Sequence, residues 1–329
     1  MKRFGKMMMT AALFVAAGCP ASLGDDLTKW VDLKIGTGGH GHVFVGANVP
    51  FGMVQLGPTS IPQEWDWCSG YHESDSTIIG FSHTHLSGTG IGDLFDITVM
   101  PVVGDVVYAR GTEDAPESGL WSYGDRSQEV AVPGYYSILL ERYGVLAELT
   151  ATSRVGMHRY TFPASEESAI VFDLVNGGCW DKITETQIKL ESDRRISGWR
   201  YSTGWAKNQK VFFVAETSEP FCSAEIVGDS HFCRLGFKTT EGQRIMLKVA
   251  LSPVSVEGAA GNLEAELPGW DFEGTVKSAH EMWNKELGKV RIRDSRAANS
   301  DAQTRDALKC FYTALYHTMI APAVFCDVN

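Results

Sequence analysis

From about Leu27 to Leu251 the chain consists of short apolar or alternating segments, each interrupted by Gly, Pro, Asn, Asp or Ser. Alternation with a period of two places every second side chain on one face of a strand, and the interrupting residues favour turns. No helical pattern intervenes. The sequence therefore predicts a mainly β fold, a large antiparallel β-sandwich. The predicted strands include the segments 52–56, 96–102, 135–142, 145–150, 157–162, 169–174, 210–215 and 244–251.

The pattern changes after Pro253. Apolar residues recur with helical spacing from Phe272 to Leu287, and a second helix is expected to begin at Ser300, whose side chain can cap it, and to end at Pro322. Both helices are amphipathic, and no further helices follow in the sequence to cover their apolar faces. We therefore expect the start of a helical domain that this chain does not complete.

The first nineteen residues have a different character from the rest. Basic residues precede an apolar run from Met7 to Ala17, and small residues precede Cys19. This is the pattern of a secretion signal, and the apolar run is shorter than the roughly 20 residues that span a bilayer. The small residues before Cys19 also resemble a bacterial lipobox. We expect Cys19 to be lipidated, with simple signal cleavage as the alternative, in an exported protein that is periplasmic or an outer-membrane lipoprotein and contacts a membrane only through this lipid anchor.

Charge and cysteine usage exclude two classes of ligand. The formal net charge is -11 and no run of basic residues occurs, so the sequence predicts no nucleic-acid partner. The seven cysteines show neither a CxxC motif nor the Cys/His spacing of a zinc site. Cys222 and Cys233 lie in neighbouring predicted strands and could pair, but buried free thiols are the expectation.

Two stretches are denser in glycine and polar residues than a sandwich needs for folding. The first is IGTGGHGH at 35–42, for which a tight turn is expected because it lacks the order of a phosphate-binding loop. The second runs from Trp65 to Asp93. Aromatic rings stack on sugar faces, and carboxylate, hydroxyl and imidazole groups bind sugar hydroxyls. We therefore predict a sugar-binding site with the candidate residues His40, His42, Trp65, Asp66, Ser69, Tyr71, His72, His83 and His85.

Two alternatives remain open for these stretches. Their clustered histidines could hold a metal ion, although no Cys or spaced carboxylate completes a recognisable ligand set, so the sequence identifies no metal ligands. The same residues could instead form a purely structural network of turns.

Several long segments resemble glycoside hydrolase family 92. They are IGTGGHGH at 35–42, VPFGMVQLGP at 49–58, WDWCSGYHESDSTIIGFSHTHLSGTG at 65–90, GDLFDITVMP at 92–101, VSVEGAAGNLEAELPGWDFE at 254–273, WNKEL at 283–287 and FYTALYHTMIAP at 311–322. The resemblance covers nearly the whole chain after the signal.

This resemblance implies a β-sandwich followed by an (α/α)6 barrel, with the active site between them. Members are calcium-dependent, inverting exo-α-mannosidases that act on mannose-containing glycans, and an α-1,2 linkage is expected here. In the family both catalytic carboxylates and most of the calcium environment come from the barrel. We therefore expect no catalytic residue in this chain, and Asp66, Glu73 and Asp93 are not assigned to those roles.

The expected organisation is a lipoprotein-type signal peptide at 1–19, an N-terminal β-sandwich domain at 20–255, linker helices at 256–297 and the start of a truncated (α/α)6 catalytic domain at 298–329. The chain alone is expected to be inactive. A non-catalytic carbohydrate-binding sandwich and the remnant of a truncated gene are the alternatives. Trp67 stands where the family usually has a small residue, which leaves the linkage preference open.

Overall fold

The computed structural model describes residues 26–177, 179–292 and 302–328. The predicted signal, Cys19 and Ser300 lie outside these residues. The strands are β1 (Ala47–Asn48), β2 (Gln55–Thr59), β3 (Thr77–Ile78), β4 (Gly80–Ser82), β5 (Thr98–Val103), β6 (Ser122–Tyr123), β7 (Val130–Val132), β8 (Tyr135–Leu140), β9 (Val145–Ala151), β10 (Val155–Phe162), β11 (Ser165–Asp173), β12 (Lys182–Leu190), β13 (Arg195–Thr203), β14 (Gln209–Thr217), β15 (Ser223–Val227), β16 (Phe232–Thr239) and β17 (Gln243–Ser252). The α-helices are α1 (Val256–Glu266), α2 (Phe272–Leu287) and α3 (Ala302–His317).

Two large antiparallel sheets form a sandwich, which confirms the predicted fold class. One sheet has seven strands in the order β1-β2-β4-β5-β11-β16-β15, and the other has eight in the order β12-β13-β14-β17-β10-β9-β8-β7. Strands β3 and β6 make a small separate pair. The (α/α)6 barrel stays a prediction, because the described residues include only the three helices that follow the sandwich.

The main core lies between the two sheets and follows from strand alternation. Along β17, Ile245, Leu247, Val249 and Leu251 are buried in this core, whereas the intervening Ala250 belongs to a different apolar cluster on the outer face. The register of β17 is set by β10 on one side and β14 on the other. A strand with apolar residues on both faces needs a second covering layer.

Helices α1 and α2 provide that layer. Side chains at their N-caps accept backbone hydrogen bonds: Ser255 from the Gly258 amide at 3.0 Å, and Asp271 from the Gly274 amide at 2.9 Å. The resulting outer cluster contains residues of both the sheet and the helices, namely Val155, Met157, Val214, Ala250, Ala259, Leu263, Leu267 and Phe272. The sequence prediction of α2 from Phe272 to Leu287 is confirmed at both ends.

The expectation that α2 and α3 lack partners for their apolar faces is wrong. Trp283 and Leu287 of α2 and Tyr312 and Tyr316 of α3 are buried, and they form one cluster with Leu27, Val31, Leu33 and Phe44. The segment before the first strand therefore covers these helices, a contact between residues more than 250 positions apart along the chain. Helix α3 also ends at His317, before the predicted stop at Pro322.

One strand is displaced from its predicted position. The segment 52–56 was expected to be extended, but β2 spans Gln55–Thr59. The amides of Met53 and Val54 donate instead to the Ser153 carbonyl oxygen, at 2.7 and 3.1 Å. Apolar alternation does not reveal such a contact with a distant loop.

The cysteines of the described residues are free thiols. The Cys222 amide donates to the Gly236 carbonyl oxygen, whereas Cys233 pairs with Ile226 of the neighbouring strand. The two cysteines are therefore not opposite each other in the sheet. Cys233 is buried, as expected, but Cys222 is exposed. Among the helices that the structure describes, none is long and apolar enough to cross a bilayer.

Candidate functional site

The glycine-rich segment 35–42 forms the predicted tight turn. A Cβ on Gly41 would lie 1.9 Å from the Gly36 carbonyl oxygen, so a side chain at this position cannot be accommodated. His42 follows in the left-handed region with φ of 53°. The turn separates the environments of its two histidines: the side chain of His40 is 77% exposed and that of His42 only 4%.

A single 3₁₀ turn, Trp65–Trp67, supplies the second part of the site. The Trp65 indole donates from Nε1 to the Gly90 carbonyl oxygen at 3.0 Å. Its ring centroid lies 4.3 Å from that of His42, in an edge-on arrangement. Trp65 is nevertheless 49% exposed. An indole that is held at its nitrogen and half exposed can stack against the apolar face of a ligand.

Asp66 connects the turn to the glycine-rich segment. Its Oδ1 lies 2.7 Å from His40 Nδ1 and 2.9 Å from His42 Nε2. An ionised carboxylate only accepts hydrogen bonds, so both ring nitrogens donate and the tautomer of each neutral imidazole is assigned. Hydrogen bonds from His40 and His42 lower the pKa of Asp66. Among residues 26–177, 179–292 and 302–328, no donor forms a hydrogen bond with Asp66 Oδ2, which can accept from a ligand.

The same three side chains are the group of described residues that could hold a metal ion, since their ligand atoms all lie within 4.8 Å of one another. Two imidazoles and one carboxylate are donors that suit zinc or another transition metal. Calcium instead takes six to eight oxygen ligands. The His40, His42 and Asp66 group therefore does not suit calcium.

A buried carboxylate, Glu129, fixes the base of the site. It accepts from the hydroxyls of Tyr71 at 3.2 Å and Tyr136 at 2.8 Å. It also pairs with Lys34 at 2.7 Å and Arg126 at 2.6 Å. Burial favours the neutral acid, but the charge of Arg126 and the hydrogen bonds from Lys34 and Tyr136 outweigh it and lower the pKa of Glu129. The charged Glu129 therefore ties the start of the glycine-rich turn and the 65–72 segment to β8.

The Trp67 side chain contacts other residues of its own loop. Its indole donates from Nε1 to Asp75 Oδ2 at 2.7 Å and stacks on the ring of His72 with centroids 4.4 Å apart. His72 Nδ1 in turn lies 2.7 Å from the Ser74 hydroxyl. The bulky residue at position 67 is thus held within the loop.

The structure brings together His40, His42, Trp65 and Asp66, but not the remaining candidates. Ser69, Tyr71, His72, His83 and His85 are buried. Ser69 donates its hydroxyl to the Tyr71 carbonyl oxygen at 3.2 Å. His85 Nδ1 donates to the Gln55 carbonyl oxygen at 2.8 Å, and its Nε2 lies 3.3 Å from the Thr59 hydroxyl. Contact of these buried residues with a sugar stays a prediction.

Two residues of this region were not singled out from the sequence. Glu129 lies in an ordinary polar turn before β7, and no local signal distinguishes it. Trp180 lies within GGCWD at 177–181, a short stretch with the same mixture of glycine, aromatic and carboxylate residues as the 65–93 segment. Composition could therefore have indicated Trp180, whose indole lies against Gly92.

Comparison with known families agrees with this architecture. Residues 30–252 match the glycosyl hydrolase family 92 N-terminal domain. The chain belongs to glycosyl hydrolase family 92. Residues 258–329 match the family 92 catalytic domain, so the described helices α2 and α3 fall within the part that matches that domain.

Solved structures of family 92 members are similar over nearly the whole chain. A family 92 alpha-mannosidase from Bacteroides thetaiotaomicron is 33% identical with a TM-score of 0.85, over 92% of this chain and 42% of that one. A family 92 inverting mannosidase from Bacteroides thetaiotaomicron VPI-5482 shares the fold, with 24% identity and a TM-score of 0.74, over 92% of this chain and 41% of its own.

Among curated proteins, an uncharacterized secreted glycosidase from Arthroderma benhamiae is 25% identical over 340 residues, which is 92% of this chain and 43% of that protein. The present chain thus spans less than half the length of these relatives.

Proposed function

We propose that this chain is the sugar-binding N-terminal part of an exo-α-mannosidase, in which His40, Trp65 and Asp66 contact a mannosyl unit and the buried His42 orients Asp66. The observation that carries the proposal is the free Oδ2 of Asp66 beside a half-exposed indole. An aromatic face and an adjacent charged acceptor are what a pyranose requires, because its ring has apolar faces and its hydroxyls donate hydrogen bonds. The alpha-mannosidase from Bacteroides thetaiotaomicron supports mannose as the sugar.

Each residue has a separate role in binding. Asp66 accepts a sugar hydroxyl at Oδ2 while His40 and His42 occupy Oδ1, which fixes the orientation of the carboxylate. Trp65 stacks on the sugar ring. Because His40 donates from Nδ1, its exposed Nε2 is an acceptor for a second hydroxyl.

The catalytic groups are assigned to the remainder of the catalytic domain. An inverting glycosidase needs a general acid with a raised pKa and a general base about 6.5–9.5 Å from it. Asp66 does not suit the acid role, because two imidazole donors stabilise its charged form and lower its pKa. Asp93 accepts from the Ala206 amide at 3.0 Å and is buried. We therefore expect this chain to bind mannosides without hydrolysing them.

Three finer features belong to the same proposal. A calcium requirement met by residues outside this chain and a preference for α-1,2-linked mannose in mannose-containing glycans rest on the family resemblance. Export with lipidation at Cys19 rests on the signal pattern of the first nineteen residues. The secreted Arthroderma benhamiae glycosidase supports export. Metabolic labelling of cells with a fatty-acid analogue tests the anchor: unlabelled protein in the soluble periplasmic fraction would contradict it.

Calorimetric titration of the chain with methyl α-mannoside tests the sugar site. Asp66→Asn and Trp65→Ala should each weaken binding by about tenfold or more. The melting temperature should hardly change, because Trp65 is half exposed and the asparagine oxygen can still accept from His40 and His42. Glu166→Gln, which removes an exposed charge on β11, is the matched control and should bind like the wild type. Lower stability with full affinity in the two site variants would leave only a structural role for them.

A further inference from the structure

The exposed tryptophans among the described residues are grouped around one short segment, residues 90–93. Trp65, Trp180 and Trp205 are 49%, 45% and 76% exposed, and the other tryptophans are buried or half-buried. Tryptophan is usually largely buried in a folded protein, so three exposed indoles in one region indicate a surface that binds something. Trp65 and Trp180 contact Gly90 and Gly92, and Trp205 precedes Ala206, whose amide donates to Asp93.

Two of the indoles lie directly on glycines of this segment. A Cβ on Gly90 would lie 2.5 Å from the Trp65 ring, and a Cβ on Gly92 would lie 3.0 Å from the Trp180 ring. A hydrogen bond accompanies each of these contacts. Trp65 Nε1 donates to the Gly90 carbonyl oxygen, and the Trp180 backbone amide donates to the Gly92 carbonyl oxygen at 3.2 Å. Glycine at both positions lets the two indoles pack against the same stretch of backbone.

The third tryptophan is on the tip of the β13–β14 hairpin, which is anchored at the next residue of the segment. Asp93 accepts from the Ala206 amide at 3.0 Å through Oδ2. Asp93 is buried, so this contact fixes the backbone of the hairpin tip next to Trp205.

The spacing of these anchors suits a short chain of sugar rings. Gly90 and Asp93 are three residues apart and can be separated by at most about 11 Å along the backbone. No other exposed large apolar residue occurs in 86–94, 179–181 or 204–206. A protein-binding surface would be expected to expose aliphatic side chains around such aromatics, but Leu86, Ile91 and Leu94 of this segment are half-buried. Exposed indoles without exposed aliphatic neighbours suit stacking with pyranose rings.

We propose that Trp65, Trp180 and Trp205 form one platform for a neutral hexose oligosaccharide, with Trp180 and Trp205 binding the sugar units beyond the one that contacts Asp66. This inference rests on the proposed function for the position of that first sugar. It assigns oligosaccharides, and not single sugars, as the class of ligand for this face of the sandwich.

Titration of the 329-residue chain with an α-linked mannotriose and with methyl α-mannoside tests the platform. The wild type should bind the trisaccharide at least about tenfold more tightly, because the additional rings contact Trp180 and Trp205. Trp180→Ala and Trp205→Ala should remove most of this preference and leave the affinity for methyl α-mannoside unchanged. Phe311→Ala, which removes an exposed aromatic ring on α3, should change neither affinity. Circular dichroism of each variant verifies folding.

Equal affinity of the wild type for the two sugars, or a trisaccharide preference that survives in the Trp180→Ala/Trp205→Ala double variant, would overturn the platform. Asp66→Asn separates this inference from the proposed function. If Asp66→Asn keeps full affinity for methyl α-mannoside while the tryptophan variants lose the trisaccharide preference, the role of Asp66 is rejected and the platform stands. If Asp66→Asn loses binding and the tryptophan variants behave like wild type, the platform is rejected and the role of Asp66 stands. Binding of neither sugar by the wild type rejects both.

Discussion

The Nε2 atoms of His83 and His158 lie 2.9 Å apart inside the sandwich, and both residues have 0% exposure. His83 Nδ1 lies 2.6 Å from the Ile97 carbonyl oxygen, which can only accept, so His83 Nε2 must accept from His158. His158 Nδ1 then accepts from the Tyr160 hydroxyl at 2.7 Å. This chain of hydrogen bonds is complete only when both imidazoles are neutral.

We expect the free energy of unfolding to fall as the pH decreases below about 6.5, the pKa of histidine in the unfolded chain. Burial lowers the pKa of His83 to about 3 and that of His85 to about 4, and lowers that of His158 well below its ordinary value. Between those values the unfolded chain binds more protons than the folded one, so stability that is present above pH 6.5 is lost on acidification. Urea denaturation at a series of pH values measures this.

His158→Gln isolates the contribution of the pair. The glutamine amide can still donate to His83 Nε2, but one titrating imidazole is absent. The variant should therefore lose less stability than the wild type between neutral and acidic pH. If the two proteins lose stability in parallel, titration of groups other than this pair explains the acid sensitivity.

Arg200 lies at the centre of a buried ion network. Its side chain is 2% exposed and contacts Asp96 Oδ1 at 2.7 Å and Asp181 Oδ2 at 2.8 Å. Asp96→Ala should lower the free energy of unfolding by about 3–5 kcal/mol, because it leaves part of a buried positive charge uncompensated. Urea denaturation of this variant beside Glu166→Gln, which breaks a pair exposed on both sides, measures the difference. An equal effect of the two changes would contradict the buried network.

Gly90→Ala should weaken sugar binding without direct removal of a sugar contact. The new methyl group would overlap the Trp65 indole, whose nearest ring atom lies 2.5 Å away, so the ring must move. Calorimetric titration with methyl α-mannoside measures the loss. Gly261→Ala in α1 is the control because no atom lies within 4 Å of its Cβ. It should keep full affinity and gain about 0.5–1 kcal/mol of stability from helix propensity. Unchanged affinity in Gly90→Ala would show that the position of Trp65 does not matter.

Trp283 joins α2 to the sandwich. It has 0% exposure, donates from Nε1 to the Asn48 carbonyl oxygen at 2.8 Å, and its ring centroid lies 4.2 Å from that of Tyr316. Trp283→Ala should cost about 3–5 kcal/mol of unfolding free energy, measured by urea denaturation.

Removal of residues 256–329 should reduce solubility, since it exposes the apolar outer face of the eight-stranded sheet to solvent. Light scattering of the shortened chain measures this. A shortened chain that is as stable and as soluble as the intact one would show that the helices are not part of the folded unit.

The sequence by itself determined the elements whose signal is local. Period-two alternation predicted the sandwich, and helical spacing predicted both ends of α2 at Phe272 and Leu287. Family resemblance and residue density located the candidate site in the segments 35–42 and 65–93. The strand and helix predictions follow from side-chain direction within a few residues, which the backbone geometry of a strand or helix dictates.

Only the tertiary structure decided which of the candidate residues face solvent. All four histidines have the same polar character, yet His42, His83 and His85 are buried and only His40 is exposed. His40 and His42 bind Asp66, whereas His83 and His85 bind backbone carbonyl oxygens. Tertiary packing also joined Glu129 to Tyr71, Trp180 to Gly92, and the segment around Val31 to the apolar faces of α2 and α3. These contacts connect residues far apart in sequence. No local pattern specifies them, because they depend on how the closed chain brings its buried faces and loops together.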